Sequence, residues 1–138
     1  VVSVKHPAPG GSIQVTLSRL EGNTNGGIWI VTGVQTPGMS ITAPQGRDLL
    51  TSPLTVSGTG SAFEGIIGTV TVLDHLYTDI GNAQATSTQG MGSATFSTNI
   101  AYTSTFKGGA QEGLIALYSH SNADGSISGA VIIKELLK

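Results

Sequence analysis

Three places in the 138-residue sequence hold residue types that can do chemistry. The first is Asp74-His75 with Asp79 close behind, an acid beside an imidazole, which hydrolases use as a general base and its orienting carboxylate. No serine sits in a G-x-S-x-G elbow, so the nucleophile has no seat. If the preceding strand runs on, neighbouring side chains also point to opposite faces and part Asp74 from His75. A polar loop that closes a strand accounts for these residues better. The second place is "HSNADGS", where His120, Asn122 and Asp124 precede Gly125. A calcium loop needs several oxygen ligands ending in a bidentate Glu. This stretch has one acid, and Asp-Gly between strands is the residue pair of a hairpin turn with positive φ. The third is Glu64, behind Phe63 in "SPLTVSGTGSAFEG". Glycoside hydrolysis requires two acids across a cleft, and Glu21, Glu64, Glu112 and Glu135 are scattered. The glycines of "GTGSAFEG" do not make G-x-G-x-x-G, so a nucleotide fold is rejected. The expectation is no catalytic residue, no bound cofactor and no metal ligand.

Composition points the same way. Hydrophobic residues make up 38% and charged residues 10%, so Ser, Thr, Asn, Gln and Gly must cover most of the surface, as in a β-rich extracellular module. A net charge of -2 offers no basic field for nucleic acid and no polybasic patch for anionic lipid. Without cysteine, disulfides and thiolate chemistry are excluded. No apolar run approaches the length of about 20 residues that spans a bilayer. The chain opens Val1-Val2-Ser3 without Met, which reads as a piece whose targeting segment lies upstream.

Gly, Pro and β-branched residues interrupt every window of helical length, and alternation with period 2 replaces it. In "GSIQVTLSRL" Ile13, Val15 and Leu17 share one face. In "IWIVTGV" Ile28, Ile30 and Val34 are expected on one face, Trp29 and Val31 on the other. With the Gly/Asn-rich residues between them these two runs make a leading hairpin, and Trp29 is expected to pack within it. Two prolines around Ile41 mark a boundary near Thr36. Strands follow at residues 54–57, 66–73, 83–88, 93–101, 114–119 and 128–136. With the segment at Ile41 they make about seven, the count of an immunoglobulin-like β-sandwich. Leu54, Val56, Val70, Val72, Phe96, Ile100, Ile115 and Leu117 form its inner rows. The last run, "AVIIKELL", reads as a strand rather than a helix.

A stacking platform for sugar rings or bases would have to use Trp29, Tyr77, Tyr102 or Tyr118, with Tyr77 in the loop "HLYTDIGN" the most exposed. Loops at 61–65, 75–82 and 121–125 are the candidate binding ends.

Residues around the third place resemble a known family. Ile41 and Pro44, then Ser52, Pro53, Leu54, Val56, Gly58, Phe63, Glu64 and Gly65, and finally Gly113, Leu114, Ser121, Asp124, Gly125 and Ser126, are similar to the motif residues of the immunoglobulin-like domain associated with bacterial spore-germination proteins. Gly60 stands where that family often has Ala. The resemblance spans about residues 36–137. It implies a β-sandwich in an exported, envelope-associated bacterial protein, often beside other modules, without established catalytic activity; the expected setting is a surface or lipid-anchored protein whose partner is another envelope protein or a cell-wall component. The expected division is residues 1–36 as a leading hairpin, similar to the closing strands of a cystatin-like α+β domain, and 37–138 as the sandwich. Within the motif, Pro53 opens a strand at no cost in ladder bonds, Gly58 to Gly60 bend the chain out of its sheet, Phe63 plugs the end of the sandwich and Glu64 accepts backbone N–H bonds. The functional reading is an interaction or spacer module; the alternative is a carbohydrate or peptidoglycan binder.

Overall fold

The computed structural model describes residues 2–5, 12–22 and 26–138, so part of the turn expected between the leading strands lies outside the described residues. The chain is all-β, with eleven strands among the described residues. The leading ribbon is β1 (Val2–Lys5), β2 (Ser12–Leu20) and β3 (Ile28–Gln35). After it come β4 (Ser40–Ala43), β5 (Leu49–Leu50), β6 (Leu54–Phe63), β7 (Ile66–Leu73), β8 (Asp79–Thr86), β9 (Met91–Ile100), β10 (Gln111–His120) and β11 (Ile127–Leu137). The final run is a strand, as its β-branched residues require. The count exceeds expectation because β1 and β5 are too short to show periodicity.

The hydrogen-bonded order is β1-β2-β3-β11-β10-β7-β6-β4, with β5 also on β11, β8 on β7 and β9 on β6. Only Phe63 and Ile66 pair between β6 and β7, so the path folds over there. The layer β4-β6-β9 comes to face the layer β8-β7-β10-β11-β3, an immunoglobulin-like β-sandwich. The two inner faces meet in a core that includes Leu54, Val56, Val70, Val72, Phe96, Ile100, Ile115, Leu117 and Leu137. All eight inner-row residues expected from alternation are buried. Each such side chain contributes about 1.5–3 kcal/mol of burial free energy.

Two local expectations are corrected. β6 does not bend away at Gly58 to Gly60. It pairs with β9 along its whole length, Gly58 opposite Phe96 and Gly60 opposite Ala94. A Cβ at Gly58 would meet the Ser40 carbonyl oxygen and the Phe96 ring, and one at Gly60 would meet Ile67 Cγ2. These glycines make room for neighbouring strands rather than freedom to turn. In the ribbon, Thr16 pairs Gly33 and Leu17 pairs Val31, leaving Thr32 as an extra residue. That bulge reverses the alternation and moves Val34 to the face of Trp29 and Val31. Val34 also pairs Ile132, which continues the outer face of the β11 layer, alternating with inward Val131 and Ile133.

Candidate functional site

The Asp74-His75 site is taken up by its own loop. Asp74 Oδ1 accepts the N–H of Leu76 at 2.8 Å and of Thr78 at 3.0 Å, and Oδ2 accepts the Thr105 hydroxyl at 3.0 Å. The Thr78 N–H foremost, with the Leu76 N–H and the Thr105 hydroxyl, holds the Asp74 carboxyl below its ordinary value against the opposing effect of burial. His75 turns away: its Nδ1 lies 2.6 Å from Gln111 Oε1, and its ring meets Phe106 edge-on at 6.2 Å. Asp79 accepts the Gly81 N–H and the Asn82 amide. The acid and the imidazole therefore do not form a relay. Glu64 lies at the opposite end of β7, whose eight residues extend about 26 Å, so no shared cleft joins it to Asp74 and His75.

Substituting Asp74 by Asn is expected to loosen the turn that presents Tyr77. Because the carboxyl is depressed in the folded state, its stabilising contribution is present above its ordinary value of 3.8 and is lost as pH falls through the folded value. Amide hydrogen exchange at residues 76 and 78 should speed up at neutral pH in Asp74→Asn, and the acid arm of the wild-type stability profile should flatten. Unchanged exchange would show that the carboxylate does not hold the loop.

The motif stretch has a structural place residue by residue. Ser52 Oγ accepts the Tyr102 N–H at 2.9 Å, and Pro53 lies immediately before β6. Glu64 and Gly65 have φ of 52° and 79°, the pair of positive values that closes a two-residue hairpin between β6 and β7. Among the described residues no hydrogen bond reaches the Glu64 carboxylate. The Gly65 backbone instead ties the turn down, its N–H donating to Gly90 O at 3.0 Å and its O accepting from Ser87 N at 2.8 Å. Phe63 is 44% exposed and so lines the sandwich end without plugging it, because strand alternation turns it outward from buried Ala62. Asp124 Oδ1 accepts both the N–H and the hydroxyl of Ser126, and Gly125 has φ of 73°. These close the β10–β11 hairpin loop. The loops at 61–65 and 121–125 meet at one cleft, lined by Phe63, Glu64, Met91, His120 and Asn122; the loop at 75–82 is at the other end.

Of the candidate aromatics, Tyr102 is a correction. It is 6% exposed, with its hydroxyl 2.9 Å from Leu50 O and 3.1 Å from Lys138 O, closing the base of the core. Tyr77 is 73% and Trp29 63% exposed, so Trp29 does not pack within the hairpin as expected. Both belong to the outer face of the β3-β11-β10-β7 layer. There Val31, Val34, Leu73, Leu114, Tyr118 and Ile132 line a groove of about 510 Å³, with Tyr77 and Lys134 at its edge. Lys134 pairs with Glu112 at 3.3 Å. Ile13, Val15 and Leu17 carry the apolar face on across β2, as their register with β3 dictates. The sequence signal for the groove was there: Leu114 and Ile132 are apolar residues in outward rows, which a water-facing sheet does not need.

Alternation through Val131, Ile133 and Leu137 also places Glu135 in an inner row. It is 1% exposed. One carboxylate oxygen accepts the Asp48 N–H at 2.8 Å, while the other has no partner. Burial, reinforced by the nearby Asp48 charge and opposed by its N–H, pushes the Glu135 carboxyl up to about 7.

Among the described residues no helix is long and apolar enough to cross a membrane, and no three His, Cys, Asp or Glu residues group as metal ligands. No curated protein and no solved structure matches the chain. The segment from Met39 to Ser126 carries β4 to β10, the motif turn at Glu64-Gly65 and the Asp124-Gly125 turn. This segment, residues 39–126, matches the family profile of the immunoglobulin-like domain of bacterial spore germination, and the chain belongs to that family.

Proposed function

We propose that the chain is a non-catalytic, extracytoplasmic module of a bacterial envelope protein, anchored through chain outside this sequence, that works by protein contact. The single observation behind this reading is the apolar outer face that runs from Leu17, Trp29 and Val31 to the groove under Tyr77. Soluble surfaces rarely leave such a contiguous face bare unless something docks there. Immunoglobulin-like modules bind through faces, edges and end loops rather than by chemistry, and the family membership agrees with a role beside germination or envelope proteins. In this reading β1 to β3 supply an appended ribbon that widens the docking face of the sandwich at 37–138.

Tagged chain incubated with solubilised envelope extract should retain specific proteins, and Val31→Asp should abolish that retention while leaving Tm unchanged, because Val31 is surface-exposed. Retention by the Asp variant equal to wild type would refute the assignment of this face. A second reading, binding of cell-wall glycan, is favoured by the exposure of Tyr77 and Trp29, since ring faces stack on sugars. Saturable binding of glycan fragments that disappears in Tyr77→Ala would select it.

A further inference from the structure

We propose that the occupant of the outer face is a second copy of this chain, in a two-fold dimer in which Trp29 of each copy enters the groove of the other. This rests on reading the face as a protein contact surface. A two-fold contact uses the same patch on both partners, so the patch must carry both halves of the fit. This one does. Trp29 and Val31 stand two residues apart on β3, opposite Arg19 and Leu17 of β2, and so share a face. Val31 lines the groove, whereas Trp29 lies beyond it and is mostly exposed. A large apolar knob and an apolar hole of about 510 Å³ thus sit side by side on one surface. Their relation is reciprocal when a copy is turned over and laid face to face.

The area agrees. An aromatic side chain presents about 150–250 Å², and Trp29, Tyr77, Val31 and Val2 are each half or more exposed. With the half-buried side chains between them the face offers several hundred Å², the order of the roughly 800 Å² that each partner contributes to a standard interface. The charges agree as well. The centre is apolar, and Arg19 beside Trp29 and the Lys134–Glu112 pair beside the groove lie at its margin, an apolar core with a polar rim. A lipid surface fits less well, since interfacial binding to membranes recruits clustered Lys and Arg, and the chain holds six in all with a net charge of -2.

Trp29 is the sole tryptophan, so its fluorescence reports the contact directly. Sedimentation velocity on the 138-residue chain should show a monomer–dimer equilibrium between micromolar and submillimolar concentration, with Trp emission moving to the blue as dimer forms. Trp29→Ser should weaken association by about 30-fold or more, as loss of a central anchor does, while Tm measured at concentrations where wild type is monomeric stays unchanged. Leu114→Lys, in the floor of the groove, should weaken association likewise, at some cost in Tm because Leu114 is half-buried in a central strand. Mixing the two variants should restore association, because a mixed dimer keeps one intact Trp29 and one intact groove facing each other. A chain that stays monomeric throughout, a dimer indifferent to Trp29→Ser, or variants that fail to complement would each overturn the proposal. If the chain is monomeric while Val31→Asp still abolishes retention of an envelope protein, the contact surface stands and the second copy falls. If both fail, the surface assignment falls too.

Discussion

Gly58→Ala is expected to destabilise the domain by about 3 kcal/mol, the upper range for forcing added volume into a packed site, and to lower Tm by about 10 °C. In β6, Gly58 lies between Ile41 of β4 and Phe96 of β9. An added methyl would run into the Ser40 carbonyl oxygen and would lie 2.8 Å from the Phe96 ring. Of the two, the backbone atom decides the outcome. A ring can change rotamer at modest cost, but the Ser40 carbonyl moves only if β4 leaves its place on β6. Loss of β4 would also unseat Met39 and Ile41, which pack against the core. Gly90 supplies the control, because an added Cβ there meets nothing within 4 Å and surface changes cost within about 0.5 kcal/mol. Urea denaturation of Gly58→Ala and Gly90→Ala should therefore separate clearly in midpoint at similar slope. Coincident midpoints would mean that β4 adapts without cost.

Glu135 is expected to make the stability of the domain fall as pH rises through neutrality. With its carboxyl at about 7 in the folded protein against an ordinary 4.5, the folded state binds the extra proton between those values. The Glu135 contribution to stability is then full below about pH 4.5 and declines until pH passes about 7. The whole decline amounts to roughly 3 kcal/mol, at about 1.36 kcal/mol per unit. Gln at this position copies the protonated acid: it still accepts the Asp48 N–H and carries no charge. Glu135→Gln should match wild type near pH 4.5, exceed it by about 2–3 kcal/mol at pH 8, and flatten the slope between. A wild-type profile already flat from pH 5 to 8 would place the Glu135 charge in contact with water. The turn at Asp48 should loosen first at high pH, because the ionised, buried Glu135 repels the nearby Asp48 carboxylate, although the Asp48 N–H still donates to Glu135.

Strand alternation was legible wherever one face is packed and the other wet. Val70 and Val72, Phe96 and Ile100, and Ile115 and Leu117 could be assigned inward from their neighbours alone, because every second side chain in a strand shares a face. Asp124-Gly125 could be read as a turn from the positive φ it needs. Glu64-Gly65 was legible as a special position but not as a hairpin of two residues, since the long extent of β6 depends on its pairing with β9. The glycines of β6 misled for the same reason: a glycine that bends a chain and one that admits a neighbouring ring look alike until the neighbour is known. Residue type alone made Asp74 and His75 a candidate pair, and hydrogen bonds from Leu76, Thr78 and Thr105 then committed the carboxylate to its own loop.

By itself the amino-acid order determined the class of the fold, the inner rows and the positions of several turns, because these follow from local periodicity and backbone preference. Only the tertiary structure decided which apolar residues remain outside. The Thr32 bulge turns Val34 to join Trp29 and Val31, and the Val34–Ile132 pairing brings the ribbon beside the groove of the sandwich. A groove of that kind is made from strands far apart in the chain, and register between distant strands is set by packing that no local pattern encodes.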